Sequence, residues 1–182
     1  VQKYLAAVAN LTYSWKGRYT ISGTTRYEGT NKLGKARSAR WLPTWNVSGA
    51  WNAHEEKWFK TIKPVVSNLT LRASYSLTAD SGPANVTNSN VVISSGTPWK
   101  PNVSQHESGL YIVNLANQEL TYEKKKELNV GMDIGFVENR INIASDFFWR
   151  NNYDLIGIIS TQGVGGEVRK YGNVASMKSS GA

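Results

Sequence analysis

The sequence predicts an all-β protein made of antiparallel strands, because alternating side chains, short glycine turns and clustered aromatic residues recur along it. Over residues 19–27 and 69–78, mainly apolar side chains at odd positions alternate with polar side chains at even positions. Successive side chains on a strand point to opposite faces, so each segment forms a ribbon with one apolar and one polar face. A soluble sandwich has the same period. The length of the segments and the aromatic residues at their ends favour strands that span a membrane.

Seven strands follow from this pattern. The first covers residues 5–15, and the Lys16-Gly17 turn leads to a second from residue 18 to about 28, since glycine supplies the positive φ that a tight hairpin needs. Pro43 cannot donate a ladder hydrogen bond, which predicts a strand end or a bulge there. The remaining strands are predicted at 41–52, 69–78, 127–136 and 141–151, with a seventh that ends near Asn173.

The connections between these strands alternate in length. Turns at 16–17 and 137–140 are short, whereas those at 29–39, 79–120 and 155–167 are long. Short turns on one side and long loops on the other are typical of outer-membrane barrels. The 53–68 connection is an exception, because it is too long for a minimal turn. Its residues 54–60 predict one short helical turn before Pro64. The 79–120 stretch is rich in Ser, Asn, Gly and Pro, and loops of that length are usually functional or disordered.

Composition narrows the class of protein. The 182 residues carry a net charge of +8, include seven Trp and nine Tyr, and contain no cysteine for a disulfide or thiolate metal site. No run approaches the roughly 18 apolar residues of a membrane helix. The basic residues are predicted in loops or at strand ends, which suits nucleic acid, lipid phosphates or plain solvated charge; we predict no nucleic-acid partner. They are Lys32, Lys35, Arg37, Arg40, Lys124, Lys125 and Lys126.

Catalytic signatures are missing from the sequence. It has no nucleophile elbow, zinc-protease motif, phosphate loop or dinucleotide fingerprint. His54 beside Glu55 and Glu56 is a weak metal candidate, because His106 is the only other histidine and nothing places it nearby. We therefore predict no enzymatic activity, no cofactor and no metal.

Several motifs in order resemble one family. The 16–31 hairpin, the 41–56 segment with its His54-Glu55-Glu56 end, and Leu69-Thr70-Leu71-Arg72-Ala73-Ser74-Tyr75 are similar to segments of SusC/RagA-type TonB-linked (TonB-dependent) outer-membrane transporters. Further matches follow at 119–124, 127–131, 136–142, 154–156 and 172–176. Each motif is weak alone, but their shared order covers nearly the whole chain apart from much of the 79–118 loop.

The resemblance implies a plugged transmembrane β-barrel of about 22 strands, of which this chain would supply about seven or eight. Residues 1–182 are then expected to be a partial barrel domain that lacks the plug, the signal peptide and the last strands. The implied function is import of glycans or peptides across the outer membrane of a Gram-negative cell. The implied partners are a SusD/RagB-like surface lipoprotein, the TonB complex and outer-membrane lipid.

The two strand faces supply the candidate site residues. Charged residues on the polar faces of the strands are expected to face the lumen, where they contact a plug or a solute, or form hydrogen bonds and salt bridges between wall and plug: Arg26, Glu28, Arg72, Asp146 and Arg150. Trp99 in the long loop is a candidate extracellular contact, or it anchors its own loop. A lipid-facing aromatic girdle is expected from Tyr13, Trp15, Tyr19, Trp41, Trp45, Trp51 and Trp149.

Two alternatives stay open at this point. One is a small complete outer-membrane barrel, since about eight strands can close. The other is a soluble all-β carbohydrate-binding module, which predicts apolar faces buried against each other.

Overall fold

A computed structural model describes residues 3–31, 33, 37–82, 91–96, 109–162 and 169–182. Seven strands form one sheet in the order β1-β2-β3-β4-β7-β8-β9, and β5 and β6 form a separate hairpin. Every neighbouring pair is antiparallel. The strands are β1 Tyr4–Trp15, β2 Tyr19–Thr30, β3 Trp41–Asn52, β4 Val66–Asp80, β5 Val92–Gly96, β6 Gly109–Asn114, β7 Glu123–Phe136, β8 Ile141–Ser160 and β9 Arg169–Gly181.

Only short helical pieces accompany the strands in the described part of the chain. The single turn α1, Arg37–Arg40, precedes β3, and two 3₁₀ helices, Ala53–Glu55 and Lys57–Thr61, lie between β3 and β4. The helical turn predicted in that connection is therefore confirmed. No helix among the described residues is long and apolar enough to cross a membrane.

The register keeps side chains of one kind on one face across the main sheet. For example, Tyr19 pairs with Trp51 on β3, Trp51 pairs with Leu71 on β4, and Leu71 pairs with Met132 on β7. The same register aligns Thr20, Ala50 and Arg72 on the opposite face. The face that carries Tyr19 is called the apolar face below, and the face that carries Arg72 is called the polar face.

The apolar face has no second layer against it within the described residues. Leu5, Leu11 and Ile21 are exposed, with Leu11 74 % accessible. Soluble monomers rarely expose contiguous apolar surface on this scale. The apolar faces are thus not buried against each other, as a soluble sandwich would require. The all-β antiparallel prediction is confirmed, with an open main sheet of seven strands.

Three strand boundaries differ from the predicted ones. β7 begins at Glu123 rather than at residue 127, so Lys124, Lys125 and Lys126 lie at the end of a strand, one of the two places predicted for them. β8 continues to Ser160, because Asp154 adopts a φ of 58° and the ladder with β9 shifts register there. A bulge absorbs one residue and lets pairing resume, which a strict period of two does not reveal. β9 correspondingly extends beyond Asn173 to Gly181.

A small buried core closes the end of the sheet that carries the long connections, called the loop end below. Leu33, Leu120 and Tyr122 are buried there and pack against Leu42, Ala79, Ile156 and Tyr171. The Tyr122 hydroxyl donates to the Arg40 carbonyl oxygen at 3.1 Å. Burial, helped by the Glu28 carboxylate, raises the pKa of Tyr122, so this hydroxyl keeps its proton. These three buried residues are called the loop-end core.

Asparagine side chains tie the segment before β7 to the last strand. Asn117 donates from Nδ2 to the Tyr171 carbonyl oxygen at 2.8 Å. Asn173 accepts from the Thr121 amide at 3.0 Å and donates to the carbonyl oxygens of Thr121 and Asp154, at 3.0 and 2.6 Å. The end of the predicted 79–120 loop is therefore anchored, and part of that loop is the β5–β6 hairpin.

Candidate functional site

The polar face of the main sheet holds a shallow groove of about 460 Å³. Hydroxyl, amide and charged side chains from five strands line it, and small residues such as Ala50 and Gly131 keep it open. Such a surface offers hydrogen bonds to a polar segment or solute without a deep enclosed pocket. The polar side chains that line it are Thr20, Ser22, Ser48, Arg72, Ser74, Asn129 and Asp146.

Arg72 is the central charge of this groove. Its Nη2 atom lies 3.2 Å from Asp133 Oδ1 and 3.3 Å from Asp146 Oδ1, so one guanidinium joins β4, β7 and β8. Half of the Arg72 side chain is exposed, and exposed ion pairs contribute only about 0–1 kcal/mol to stability. The arrangement positions the charges on the polar face more than it stabilises the fold.

A second charged group lies nearer the loop end. Arg150 Nε is 2.8 Å from Glu127 Oε2, and Lys125 Nζ is 3.1 Å from the same oxygen. Asn129 donates from Nδ2 to Glu127 Oε1 at 3.1 Å. Glu127 thus compensates two cations on the polar face.

A third charged group is formed by β1 and β2. Arg26 Nε contacts Glu28 Oε2 at 2.8 Å, and the Tyr4 hydroxyl donates to the same oxygen at 2.6 Å. Arg26 also donates to the Tyr4 hydroxyl. Glu28 is buried, so this group is a fixed part of the sheet next to the loop-end core.

The five charged residues predicted from the sequence therefore share one face, but the structure divides them among three ion-paired groups. Sequence reasoning missed their partners Tyr4, Lys125, Glu127 and Asp133. Period-two alternation placed Asp133 on the polar side of its strand. The missing information was the cross-strand register, which brings Asp133 to Arg72 across the β4–β7 ladder.

Aromatic side chains on the apolar face form one cluster near the short turns. Trp15 and Tyr19 stack with ring centroids 5.8 Å apart, and Tyr19 stacks on Trp51 at 6.3 Å. Tyr13 lies on the same face one step along β1. This cluster is called the turn-end aromatic row.

A second aromatic cluster lies toward the loop end of the same face. Tyr27 stacks on Trp41 at 5.1 Å, and Trp45 meets Tyr75 edge to face at 5.4 Å. Trp149 pairs with Leu128, and Leu128 pairs with Tyr75. The loop-end aromatic row is defined as Tyr27, Trp41, Trp45, Tyr75 and Trp149.

The separation of the two rows suits a lipid bilayer. Trp41 and Trp51 are the first and last apolar-face positions of β3. Ten residues at about 3.3 Å each span about 33 Å along the strand, or about 25 Å of height at the usual barrel tilt. That height equals the apolar band of outer-membrane barrels. All seven predicted girdle residues lie on the apolar face.

Gly29 shows how closely one of these aromatic rings packs. A Cβ added to Gly29 would lie 2.6 Å from an indole carbon of Trp41, whereas a Cβ on Gly23, on the same strand and face, meets nothing within 4 Å. We expect Gly29→Ala to displace Trp41 and lower the unfolding free energy by about 1–3 kcal/mol. Gly23→Ala should be neutral or slightly stabilising, since glycine weakens a strand. Denaturant titration of both variants checks this, and equal effects would contradict it.

The remaining candidates from the sequence are Trp99, His106, and His54 with its neighbouring glutamates. Trp99 and His106 lie outside the described residues. His54 contacts the Leu69 carbonyl oxygen at 3.2 Å, and Glu56 binds the Tyr19 hydroxyl at 2.7 Å and Arg18 at 3.4 Å. Over the described ranges, no group of three or more His, Cys, Asp or Glu residues could hold a metal.

Comparison with known proteins places the chain in a family. The model of the family described as "TonB dependent receptor-like, beta-barrel" matches residues 2–182. The chain belongs to this TonB-dependent receptor family. The SusC/RagA resemblance is confirmed as well, because TonB-dependent receptor SusC of Bacteroides thetaiotaomicron is 25 % identical in an alignment 168 residues long that covers 82 % of this chain and 15 % of SusC.

Other relatives agree with this family. TonB-dependent receptor P3 of Formosa agariphila is 22 % identical over 84 % of the chain and 15 % of its own length. The structure of the RagAB peptide transporter superposes with a TM-score of 0.80 at 23 % identity, over 97 % of this chain and 19 % of that one. An open-open state of the RagAB peptide importer gives 0.81. The chain thus spans about a sixth of the TonB-dependent receptors it matches.

Proposed function

We propose that this chain forms part of the barrel wall of an outer-membrane importer of the SusC/RagA type. The observation that carries the proposal is the division of the sheet into an apolar face between two aromatic rows and a polar, charged face. An apolar band with aromatic borders suits lipid, and the opposite face then lines the interior of the barrel. Membership of the TonB-dependent receptor family supports the same arrangement.

In this proposal residues 1–182 are a segment of a longer barrel domain. The edge strands β1 and β9 lie at opposite sides of the sheet and carry backbone groups that neighbouring strands of a closed barrel would pair. An open edge within lipid leaves polar groups unsatisfied, so the wall needs the other strands. This need favours the partial barrel over a small complete one.

The polar face would contact a plug domain or a passing solute. The groove around Arg72 presents mainly hydroxyl and amide groups, and its charges are paired within the wall. Such a lining binds polar segments weakly and reversibly, as a pore requires. The girdle residues and the loops would contact outer-membrane lipid and a SusD/RagB-like surface lipoprotein.

The substrates of the proposed importer are glycans or peptides. RagAB is described as a peptide transporter, and the likeness of this chain to it supports peptides as one of the two proposed substrate classes. The proposed role includes no chemical turnover. A hydrolytic or transfer activity that disappears when residues of this segment are changed would overturn that part.

The test is uptake by cells that carry the full-length protein. A deletion strain should lose growth on an oligosaccharide mixture or on oligopeptides as the only carbon source, and the full-length gene should restore it. Restoration should fail in a strain without TonB, because energy reaches such importers through TonB. TonB-independent uptake of the same compounds would contradict the proposed function.

A further inference from the structure

We propose that the apolar face carries a binding site for a phosphate-bearing lipid, formed by Lys126 and Lys178 above an apolar floor. This inference rests on the proposed function, since it requires that the apolar face contact a membrane. It goes further by assigning one position on that face to an anionic headgroup.

The site is a groove of about 540 Å³ on the apolar face. Tyr75, Leu128 and Trp149 contribute to its floor, and Lys126, Asn151 and Lys178 contribute to its rim. The register aligns Lys126 with Asn151 and Asn151 with Lys178, so the two lysines flank β8 from its two neighbouring strands. Two strand spacings place their backbones about 10 Å apart. Flexible four-carbon stems let both ammonium groups approach one phosphate.

The charges of these two lysines are not balanced locally. Lys124 pairs with Asp154 at 2.7 Å, and Lys125 points to the polar face and pairs with Glu127 at 3.1 Å. Among the described residues, Lys126 and Lys178 have no carboxylate within ion-pair distance. Lys126 lies over the Tyr153 ring, 5.4 Å from its centroid, which holds the cation near the groove.

The order of groups along the strands matches an anchored lipid. Lys126 precedes Leu128 toward the loop end of β7, and Lys178 is likewise on the loop side of the Trp149 level. The cations therefore lie at the border of the apolar face, whereas the floor continues toward its centre. An anionic headgroup at the lysines would place its acyl chain over Leu128 and Trp149. Free phosphate would use the lysines but leave this exposed apolar floor uncovered.

The test uses the full-length protein in a non-ionic detergent and native mass spectrometry. The probes are dipalmitoyl phosphatidic acid, phosphatidylcholine with the same chains, and inorganic phosphate. Each lysine near a membrane surface strengthens the binding of anionic lipid. The loss of two such lysines should therefore weaken the binding of phosphatidic acid roughly 30-fold. We expect K126Q/K178Q to weaken phosphatidic acid binding by that amount. The matched control K60Q/K63Q removes two exposed lysines near the turn end, and it should leave binding unchanged.

Each other outcome overturns the inference. Equal losses in both double variants would show a general charge effect, and phosphatidylcholine binding as tightly as phosphatidic acid would show no headgroup recognition. Inorganic phosphate binding as tightly as the lipid would make the apolar floor irrelevant. Uptake measured in the same wild-type protein separates the two proposals, because absent TonB-dependent uptake contradicts the proposed function whatever the lipid result.

Discussion

Val47→Arg is expected to lower the unfolding free energy of the full-length protein in lipid by about 2–4 kcal/mol, the cost of a cation on the lipid face near the middle of a barrel strand. Val47 lies on the apolar face of β3 between Trp45 and Trp51, and its side chain is 51 % exposed. No carboxylate faces it from the paired positions Gly23 and Tyr75. An arginine there must therefore bend toward an interface or draw water into the hydrocarbon.

The neighbouring position supplies a matched control. Asn46 is also exposed but lies on the polar face, where it pairs with Thr24 and Ser76. Asn46→Arg should change stability by less than about 1 kcal/mol, as is usual for surface substitutions. Urea unfolding of both variants in liposomes measures the difference. A larger loss for Asn46→Arg, or none for either variant, would contradict the assignment of the two faces.

Leu120→Ala is expected to destabilise the loop end of the sheet by about 2–5 kcal/mol, the range for truncating a buried leucine. Leu120 is fully buried against Leu33 and Tyr122, so the lost methyl groups leave a cavity. The loss should concentrate at the loop end, where β2 ends and β3 and β9 begin. Hydrogen exchange of backbone amides should therefore accelerate near Tyr122 and Tyr171 before it does near the short turns.

Leu110→Ala is the control for this change, since Leu110 on β6 is 79 % exposed and undergoes the same truncation. Its effect should stay within about 0.5 kcal/mol. Denaturant unfolding of the two variants gives the comparison. Similar losses in both would mean that the loop-end core contributes little to stability.

The sequence was sufficient for the sheet because the signal is local. Alternation predicted which face of each strand is apolar and which is polar. The turn residues Lys16 and Gly17 predicted the first hairpin, and they have φ values of 52° and 68°. The charged groups were predicted only in part. Arg72 and Asp146 were assigned to one face, but the contacts of Arg72 with both Asp133 and Asp146 depend on the register of three strands.

Other features depend on contacts between residues far apart in the chain. Tyr122 reaches the Arg40 carbonyl oxygen across 82 positions, and Asn117 reaches Tyr171 across 54. No period or turn motif encodes such pairs. The bulge at Asp154 is similar, because a positive φ at an aspartate is a tertiary outcome that the pattern did not reveal.

The segment that contains Asn117 and Tyr122 has a geometric consequence. It is held at one end by β9 and at the other by the residue before β3, although β3 and β9 are separated in the sheet by β4, β7 and β8. These contacts reach across three strands, so they limit how far β3 and β9 can move apart at the loop end. We therefore expect this end of the sheet to resist flattening more strongly than the end that carries the short turns.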